Sequence, residues 1–469
     1  MGALRRLRAV PPELWLLAML ALGTRCWRLF TPGQRVWDEV HYEEFASRYF
    51  SGSYYVDVHP PLGKLLIALE AWVMRIPAAT FTDGVSVPQL RLLPALMGAL
   101  LVPTFWWFLR ELGASRKVAA FGGALLLLDN ALLVQSRFVL LDVMLVWFGL
   151  AAVAAYLAAR RSTGGARWRG LAAAALLAGA AVSTKWTGLS ALGLIGLVWL
   201  VDAWRASGRT PRRRMAGELL LLGAVPAAVY VGAFAVHFAL LPNDGIGVRL
   251  MSPAFAATLR GNLAYRADAP LSFAGKLAEL HGVVLSANQR FTHVAQPAAS
   301  PWYTWPIAKH RIQYWQGVGD VGGESRRIEL MGNPVLWYGI LVALALGAAA
   351  LALRRVSAGP LRGALLIAGV GYVMNFAPFA LITRPMYLYH YLLAFVYSAA
   401  LAALLLGRMA GWQDDDGPPW RFRSPRARAL YVGLLAVLAA SFAYFAPLSY
   451  GTALSAGQLA QRDWVLERH

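Results

Sequence analysis

Apolar runs of about 17 to 25 residues, the length that crosses a bilayer as a helix, recur from one end of this chain to the other. Eleven segments qualify: 13–29, 91–109, 118–134, 138–159, 170–184, 187–204, 216–240, 335–353, 363–382, 388–407 and 429–447. The pattern predicts an all-α polytopic membrane protein with about eleven transmembrane helices. Composition agrees: 58% of the 469 residues are hydrophobic and 14% are charged, against roughly 25% charged in a soluble domain.

The formal charge of +20 would suggest nucleic acid in a soluble protein. Here it follows from orientation, because basic residues collect on the cytoplasmic side of a membrane protein. With the N-terminus inside, the short inner loops carry 23 basic and seven acidic residues. The basic set runs from Arg5, Arg6 and Arg8 through Arg110, Arg116, Lys117, Arg160, Arg161, Arg167 and Arg169. It continues through Arg205, Arg209, Arg212 to Arg214, Arg354, Arg355, Arg362, Arg408, Arg421, Arg423, Arg426 and Arg428. Those loops hold a net +16, and the remainder holds +4. No nucleic-acid partner is needed.

The expected layout is a cytoplasmic N-terminus (1–12), a transmembrane domain (13–447) and an extracytoplasmic tail (448–469). Two larger extracytoplasmic loops, 30–90 and 241–334, interrupt the domain. The basic start before 13–29 resembles a signal peptide. Arg25 before Cys26 spoils a lipobox, and ten spans follow, so the segment reads as a retained anchor in the plasma membrane. Cys26, the single cysteine, excludes an intramolecular disulfide. Asp414 to Asp416 could mimic an acidic metal motif, but a solvated inner charge run explains them more simply.

Ionisable residues inside a membrane are costly and call for a reason. On this topology they gather at the outer face. Arg25 and Arg28 end the first span, and Asp38 and Glu39 follow it. His59 precedes an apolar stretch at 65–76 that fits the interface, and Arg91 opens the second span. Arg137 and Asp142 start the fourth, Lys185 lies between the fifth and sixth, and Arg384, Tyr389, His390 and Tyr391 precede the tenth. Individually these read as snorkelling anchors, interfacial aromatics such as Ser300 to Pro306, or mutual neutralisation of Arg137 and Asp142. Their convergence from six or seven segments reads as a site. Clustered cations suit a phosphate, and a carboxylate suits proton abstraction from a weak nucleophile. In a lipid setting, that combination fits a lipid-linked phosphate donor and a hydroxyl acceptor. No metal site is expected, since adjacent Asp38 and Glu39 lack further ligands; no cofactor is required, and a divalent ion stays open.

The runs Trp37-Asp-Glu-Val-His-Tyr42 and Asp57-Val-His-Pro-Pro-Leu-Gly-Lys64 closely resemble the protein O-mannosyltransferase family. The likeness continues in Gln135-Ser-Arg-Phe-Val-Leu-Leu-Asp142, Ser183-Thr-Lys-Trp-Thr-Gly188, Glu279-Leu-His281, Ser300 to Pro306 and Tyr389-His-Tyr391. The resemblance implies a C-type glycosyltransferase fold and an external active site. It implies a polyprenyl-phosphate-mannose donor and transfer of mannose to Ser/Thr-containing acceptor polypeptides, with the secretion translocon as an expected neighbour. It places Asp38 as catalytic base with Glu39 beside it. Arg91, Lys185, Arg25 and Arg137 would lie around the donor, with His59, Asp142, Tyr389 and His390 as further site residues. The family's eukaryotic members carry a β-trefoil domain in the large outer loop, and 241–334 is too short for it. A bacterial member is therefore expected, and the Ala- and Arg-rich composition points the same way. The alternative is a lipid-phosphate-sugar transferase acting on a glycan or lipid. A transporter would carry polar residues through the bilayer and inverted repeats, whereas these residues stop at one face.

Overall fold

The structure is a computed structural model that describes residues 10–81, 87–205, 211–268, 271–290, 296–317, 324–353, 361–463 and 467–468. Arg5, Arg6, Arg8, Arg209, Arg354 and Arg355 lie outside the described residues. The chain begins with α1 (Pro12–Cys26), α2 (Glu39–Ser51), α3 (Leu62–Val73), α4 (Leu92–Glu111), α5 (Arg116–Leu127), α6 (Asn130–Gln135), α7 (Asp142–Arg160) and α8 (Gly164–Thr184). It continues through α9 (Leu189–Arg205), α10 (Arg212–Leu240), α11 (Phe273–Arg290), α12 (Pro334–Ala352), α13 (Arg362–Phe376), α14 (Leu392–Met409) and α15 (Pro425–Tyr450).

Among the described residues, eight helices are long and apolar enough to cross a membrane. They are α4, α7, α9, α10, α12, α13, α14 and α15, some lengthened by 3-10 turns. The protein is therefore polytopic and mostly helical, with about eight such helices rather than clearly eleven. The expected eleven include three segments outside this set. α1 has 15 residues. α8 has 21 but opens on Gly-Gly-Ala-Arg-Trp-Arg. The expected 118–134 span is broken in two after Leu127.

Asp129 makes that break. Its Oδ1 caps α6 by accepting from Leu132 N (2.8 Å), and its Oδ2 accepts from Trp337 Nε1 (2.7 Å) and Asn333 N (3.2 Å). Asn130 Nδ2 donates to Ser449 Oγ (3.0 Å) on α15. Irregular backbone at membrane depth survives where it is buried in protein, and Asp129 and Asn130 are both fully buried.

The all-α expectation also needs correction. The second long segment holds strand β1 (His310–Gln316), β2 (Glu324–Ser325) and β3 (Arg327–Leu330); β1 pairs antiparallel with β3. The last residues return to it: β4 (Leu454–Ser455) pairs with β2, and β5 (Glu467–Arg468) runs parallel to β1. Buried Arg311 ties the sheet together through Glu329 (3.0 Å) and Asp463 (2.7 Å). Hydropathy missed these strands because they lie outside the apolar runs.

The arginine-rich helix ends lie together. Arg116 pairs with Glu13, Arg110 with Asp416, Lys117 with Asp415, Arg408 with Asp414, Arg161 with Glu111, Arg160 with Asp202, and both Arg167 and Arg214 with Glu218. Each of Asp414 to Asp416 thus faces a cation, and no cluster of three metal-ligating side chains occurs among the described residues.

Candidate active site

α2, the α3 approach, the starts of α7 and α14, and the α8–α9 break bring their polar residues together. Lys185 stands where α8 ends, in extended conformation (φ −148°, ψ 145°). The turn behind it needs Gly188, because a Cβ there would collide with the Ala181 carbonyl. Asp142 opens α7, where the helix dipole favours a negative charge. Lys185 Nζ donates to Asp142 Oδ1 (2.7 Å) and lies 5.6 Å from the centre of the Tyr389 ring. Gln135 Nε2 donates to Asp142 Oδ2 (3.0 Å), and Tyr314 Oη donates to Gln135 Oε1 (2.7 Å).

A cavity of about 390 Å³ adjoins this group. His59, Asp142, Lys185, Arg384, Tyr389 and His390 are among its polar lining, with Thr187, Ser190 and Asn375, and Leu145, Val146, Leu189, Met374, Phe379 and Leu393 are among its apolar walls. His390 Nδ1 accepts from Tyr387 N (3.1 Å), and its ring stacks on Trp305 (6.1 Å, 13°). Trp305 is fully buried, its Nε1 donating to Ser300 Oγ (3.0 Å). The interfacial reading of Ser300 to Pro306 thus fits Tyr303, which is 65% exposed, but not Trp305.

Asp38 is not among the residues that line the cavity; it stands at the N-cap of α2, in the field of Lys185 and Asp142 from that lining, and its side chain makes no cap hydrogen bond. Burial raises its pKa above the carboxylate's usual value; Lys185 and His41 oppose that rise, while Asp142 and Asp57 add to it. Asp57 pairs with Lys64, which also donates to the His59 carbonyl (2.6 Å). Burial, reinforced by Lys185, Lys64 and Arg384, pushes His59 well below an ordinary histidine, so its ring is neutral near pH 7.

Four expected site residues lie elsewhere. Glu39 is fully buried and accepts four hydrogen bonds: Arg91 Nε (2.8 Å) and Val139 N (3.0 Å) on Oε1, Arg91 Nη2 (2.7 Å) and Val36 N (2.8 Å) on Oε2. Arg91 is equally buried, and its other donors reach the carbonyls of Leu29, Pro32 (2.7 Å) and Gln34 (3.0 Å). This pair is buried at the loop after α1, and neither residue lines the cavity. Arg25 holds the carbonyls of Leu126 (3.2 Å) and Leu127 (3.4 Å) at the end of α5. Arg137 holds those of Arg25 (3.1 Å), Trp27 (2.5 Å) and Arg28 (3.0 Å) at the end of α1. Cations at a helix C-terminus stabilise it, and both side chains are buried away from the cavity lining.

The sequence reading left out the apolar wall and Trp186, which lines the cavity, as well as Gln135 and Tyr314 as partners of Asp142. Gln135 lay inside a recognised motif and was open to discovery. Tyr314, on an unforeseen strand, carried no signal.

Two family profiles match the chain in tandem. The dolichyl-phosphate-mannose-protein mannosyltransferase profile covers residues 15–242, and that of the C-terminal four-transmembrane region of protein O-mannosyltransferase covers 273–467. Protein O-mannosyltransferase 1 of Drosophila melanogaster is 38% identical over 296 residues, 60% of this chain and 32% of that protein. Protein O-mannosyl-transferase 1 of Mus musculus is 34% identical over 271 residues, 53% of this chain and 36% of that protein. The chain spans about a third of the length of these relatives. A solved S. cerevisiae protein O-mannosyltransferase complex, bound to the sugar donor, shares the fold with a TM-score of 0.85 at 19% identity, covering 97% of this chain and 92% of that one. ArnT from Cupriavidus metallidurans, bound to undecaprenyl phosphate, gives 0.54 at 17% identity over 96% and 72%. Curated relatives that the chain matches are eukaryotic, with type-1 proteins of two Drosophila species and a type-3 protein of S. cerevisiae among them, which overturns the bacterial placement expected from the short outer loop and the composition. On the strength of two profiles in the same order as its two halves, the chain belongs to the protein O-mannosyltransferase family.

Proposed function

We propose that this chain transfers mannose from polyprenyl-phosphate-mannose to Ser or Thr hydroxyls of proteins, in one inverting displacement with Asp38 as general base. The carrying observation is the state of Asp38: a half-buried carboxylate with a raised pKa and no cap hydrogen bond, in the field of Lys185, which lines a partly apolar cavity. A base of raised pKa accepts a hydroxyl proton more readily. As that proton passes to Asp38, the acceptor oxygen bonds to the mannose anomeric carbon and the bond from that carbon to the phosphate oxygen breaks. The electron pair leaves with the phosphate, whose charge Lys185 and Arg384 stabilise, and a β-linked donor gives an α-linked product. The apolar walls suit the prenyl chain, and neutral His59 suits a sugar hydroxyl. Arg91, Arg25 and Arg137 act in this reading as braces.

The eleven-crossing topology is also proposed, with the N-terminus cytoplasmic and the site on the far side. It is supported by the ion pairs that join the ends of α1, α4, α5, α7, α8, α9, α10 and α14 on one side, away from the cavity residues. Loops 30–90 and 241–334 then lie outside. An acceptor still unfolded, as it emerges from a secretion translocon, would reach a half-buried base most easily.

The test is Asp38→Asn in membranes supplied with donor and a Ser/Thr peptide, where loss of a general base predicts a fall of about 10²- to 10⁴-fold. Near-normal transfer would remove Asp38 from that role. Transfer to a glycan or lipid in place of the peptide would favour the alternative acceptor class.

A further inference from the structure

Gln135 and Tyr314 do not line the cavity, yet they belong to a closed circuit of contacts around it. Tyr314 Oη donates to Gln135 Oε1 (2.7 Å), Gln135 Nε2 to Asp142 Oδ2 (3.0 Å), and Lys185 Nζ to Asp142 Oδ1 (2.7 Å). Lys185 faces the Tyr389 ring at 5.6 Å, and that ring stacks on Tyr387 (5.3 Å, 13°). Tyr387 meets the Trp37 ring edge-on (6.1 Å, 80°), and Trp37 stacks on Tyr314 (5.0 Å, 6°), closing the circuit.

We propose that Tyr314 is a positioning residue: through Gln135 and Asp142 it sets Lys185 for a lipid-linked phosphate. Strand β1 thereby supports a donor site whose lining comes from both halves of the chain. This rests on the transfer reading above and names the residue that orders its cation.

The physical reason lies in the two faces of an amide. Beside a carboxylate a glutamine must present its NH₂, and a hydroxyl donating to Oε1 holds it that way round. Both oxygens of Asp142 then carry a donor, so the carboxylate cannot swing and the ammonium keeps a fixed place. Tyr314 and Gln135 are 5% and 1% exposed, so an amide oxygen deprived of the hydroxyl would have no water to turn to. The same tyrosine acts on the base. Trp37 has φ of 52°, a left-handed backbone that a tryptophan rarely adopts, and it is held by the stack and by its N–H donating to Tyr314 O (3.2 Å). The next residue is Asp38.

The test uses the purified full chain in lipid nanodiscs, with two variants that keep shape: Tyr314→Phe, which retains the stack on Trp37, and Gln135→Met, which retains length. Polyprenyl phosphate without sugar is the binding probe, and transfer to a Ser/Thr peptide is followed in parallel. Each variant should weaken probe binding by about 5- to 50-fold, the range for one buried hydrogen bond left unmade, and should raise the donor KM more than it lowers kcat. The double variant should be no worse than the weaker single one. In a Lys185→Ala background, Tyr314→Phe should add less than about twofold, since members of one network do not add. The split between KM and kcat, and the lack of additivity with Lys185→Ala, separate this from a merely structural role, which would lower the folded fraction without favouring the donor KM and would add in full to Lys185→Ala. Unchanged binding in Tyr314→Phe, full additivity, or a wild-type chain that does not bind polyprenyl phosphate would overturn the proposal. If binding follows the expected pattern while even the wild type moves no mannose, the transfer reading falls and the positioning role stands.

Discussion

Asp38 and Glu39 are adjacent acids of one motif, and the structure gives them opposite fates under the same mild change. Glu39→Gln replaces one carboxylate oxygen with an NH₂ group. Each oxygen of Glu39 currently accepts from two N–H donors, one of them on Arg91. Whichever way the amide turns, two donors lose their acceptor and face another donor, and a guanidinium that is 0% exposed loses its counter-charge. Breaking a buried ion pair from one side costs about 3–5 kcal/mol. That is a large part of the roughly 5–15 kcal/mol that holds a domain folded. Asp38→Asn removes a desolvated charge that no hydrogen bond rewards, so it should leave stability unchanged or slightly improved. The assay is paired: yield and thermal midpoint of each purified variant in detergent, then mannose transfer per folded molecule. The expected result is a marked drop in yield or midpoint for Glu39→Gln, and a normal midpoint with little transfer for Asp38→Asn. A Glu39→Gln protein with wild-type midpoint and no transfer would refute the bracing role and return Glu39 to the chemistry.

Three further outcomes follow from the same geometry. Lys185→Ala should impair donor use before acceptor use, by about 2.7–4 kcal/mol if its contact is made mainly in the transition state; a change confined to the peptide KM would count against that. Transfer should fall as pH drops through the raised pKa of Asp38, above the ordinary aspartate value of about 3.9, and Lys185→Ala should move this acid limb to still higher pH by removing the cation that opposes the rise; a limb that stays put would separate the two residues. Glu70 accepts from Leu93 N (2.7 Å) at the start of α4, its other oxygen has no partner, and burial raises its pKa to about 8. Because the folded value exceeds the unfolded one of about 4.3, the contribution of Glu70 to stability is full at low pH and is lost as pH climbs toward 8. The thermal midpoint of Glu70→Gln should therefore gain on that of the wild type as pH rises from 5 to 8, and a constant difference would count against this reading.

Hydropathy located the helices because burial in lipid imposes the same length on every one of them. The sequence segments 91–109, 138–159 and 335–353 differ from α4, α7 and α12 by a few residues at each end. It failed at 118–134 because one buried Asp, satisfied by Trp337 and Asn333 from far along the chain, interrupts a run that still averages apolar. The site divides in the same way. Polar residues at one face were visible as costly placements, and His59, Asp142, Lys185, Tyr389 and His390 do line one cavity. What sequence cannot show is where a guanidinium points. Arg25, Arg91 and Arg137 sit at the same face as Lys185, but their donors turn to backbone carbonyls freed by helix ends and loops. The bland anchor reading underestimated them in another way, since they are buried in protein and do not reach for the interface.

On the proposed mechanism, the pairing of the other acids explains why Asp38 would be the one left to react. Glu39 has Arg91, Asp57 has Lys64, Glu43 has Arg35, and Asp142 has Lys185. Each of these carboxylates is held in place by its cation and so does not drift toward the substrate. Asp38 is set among them without a cation of its own, and burial then raises its pKa instead of merely destabilising the fold. Lys185 is the exception among the cations, because it both pairs with Asp142 and lines the cavity. An arriving phosphate would share its ammonium with Asp142, and as negative charge grows on the leaving group the lysine's field would favour both that charge and the ionised starting state of Asp38. Asp142 must therefore be held firmly enough to keep Lys185 in place, yet leave it facing the cavity. A neutral amide on its second oxygen meets that requirement, where a second cation would have drawn the aspartate, and the lysine with it, out of line.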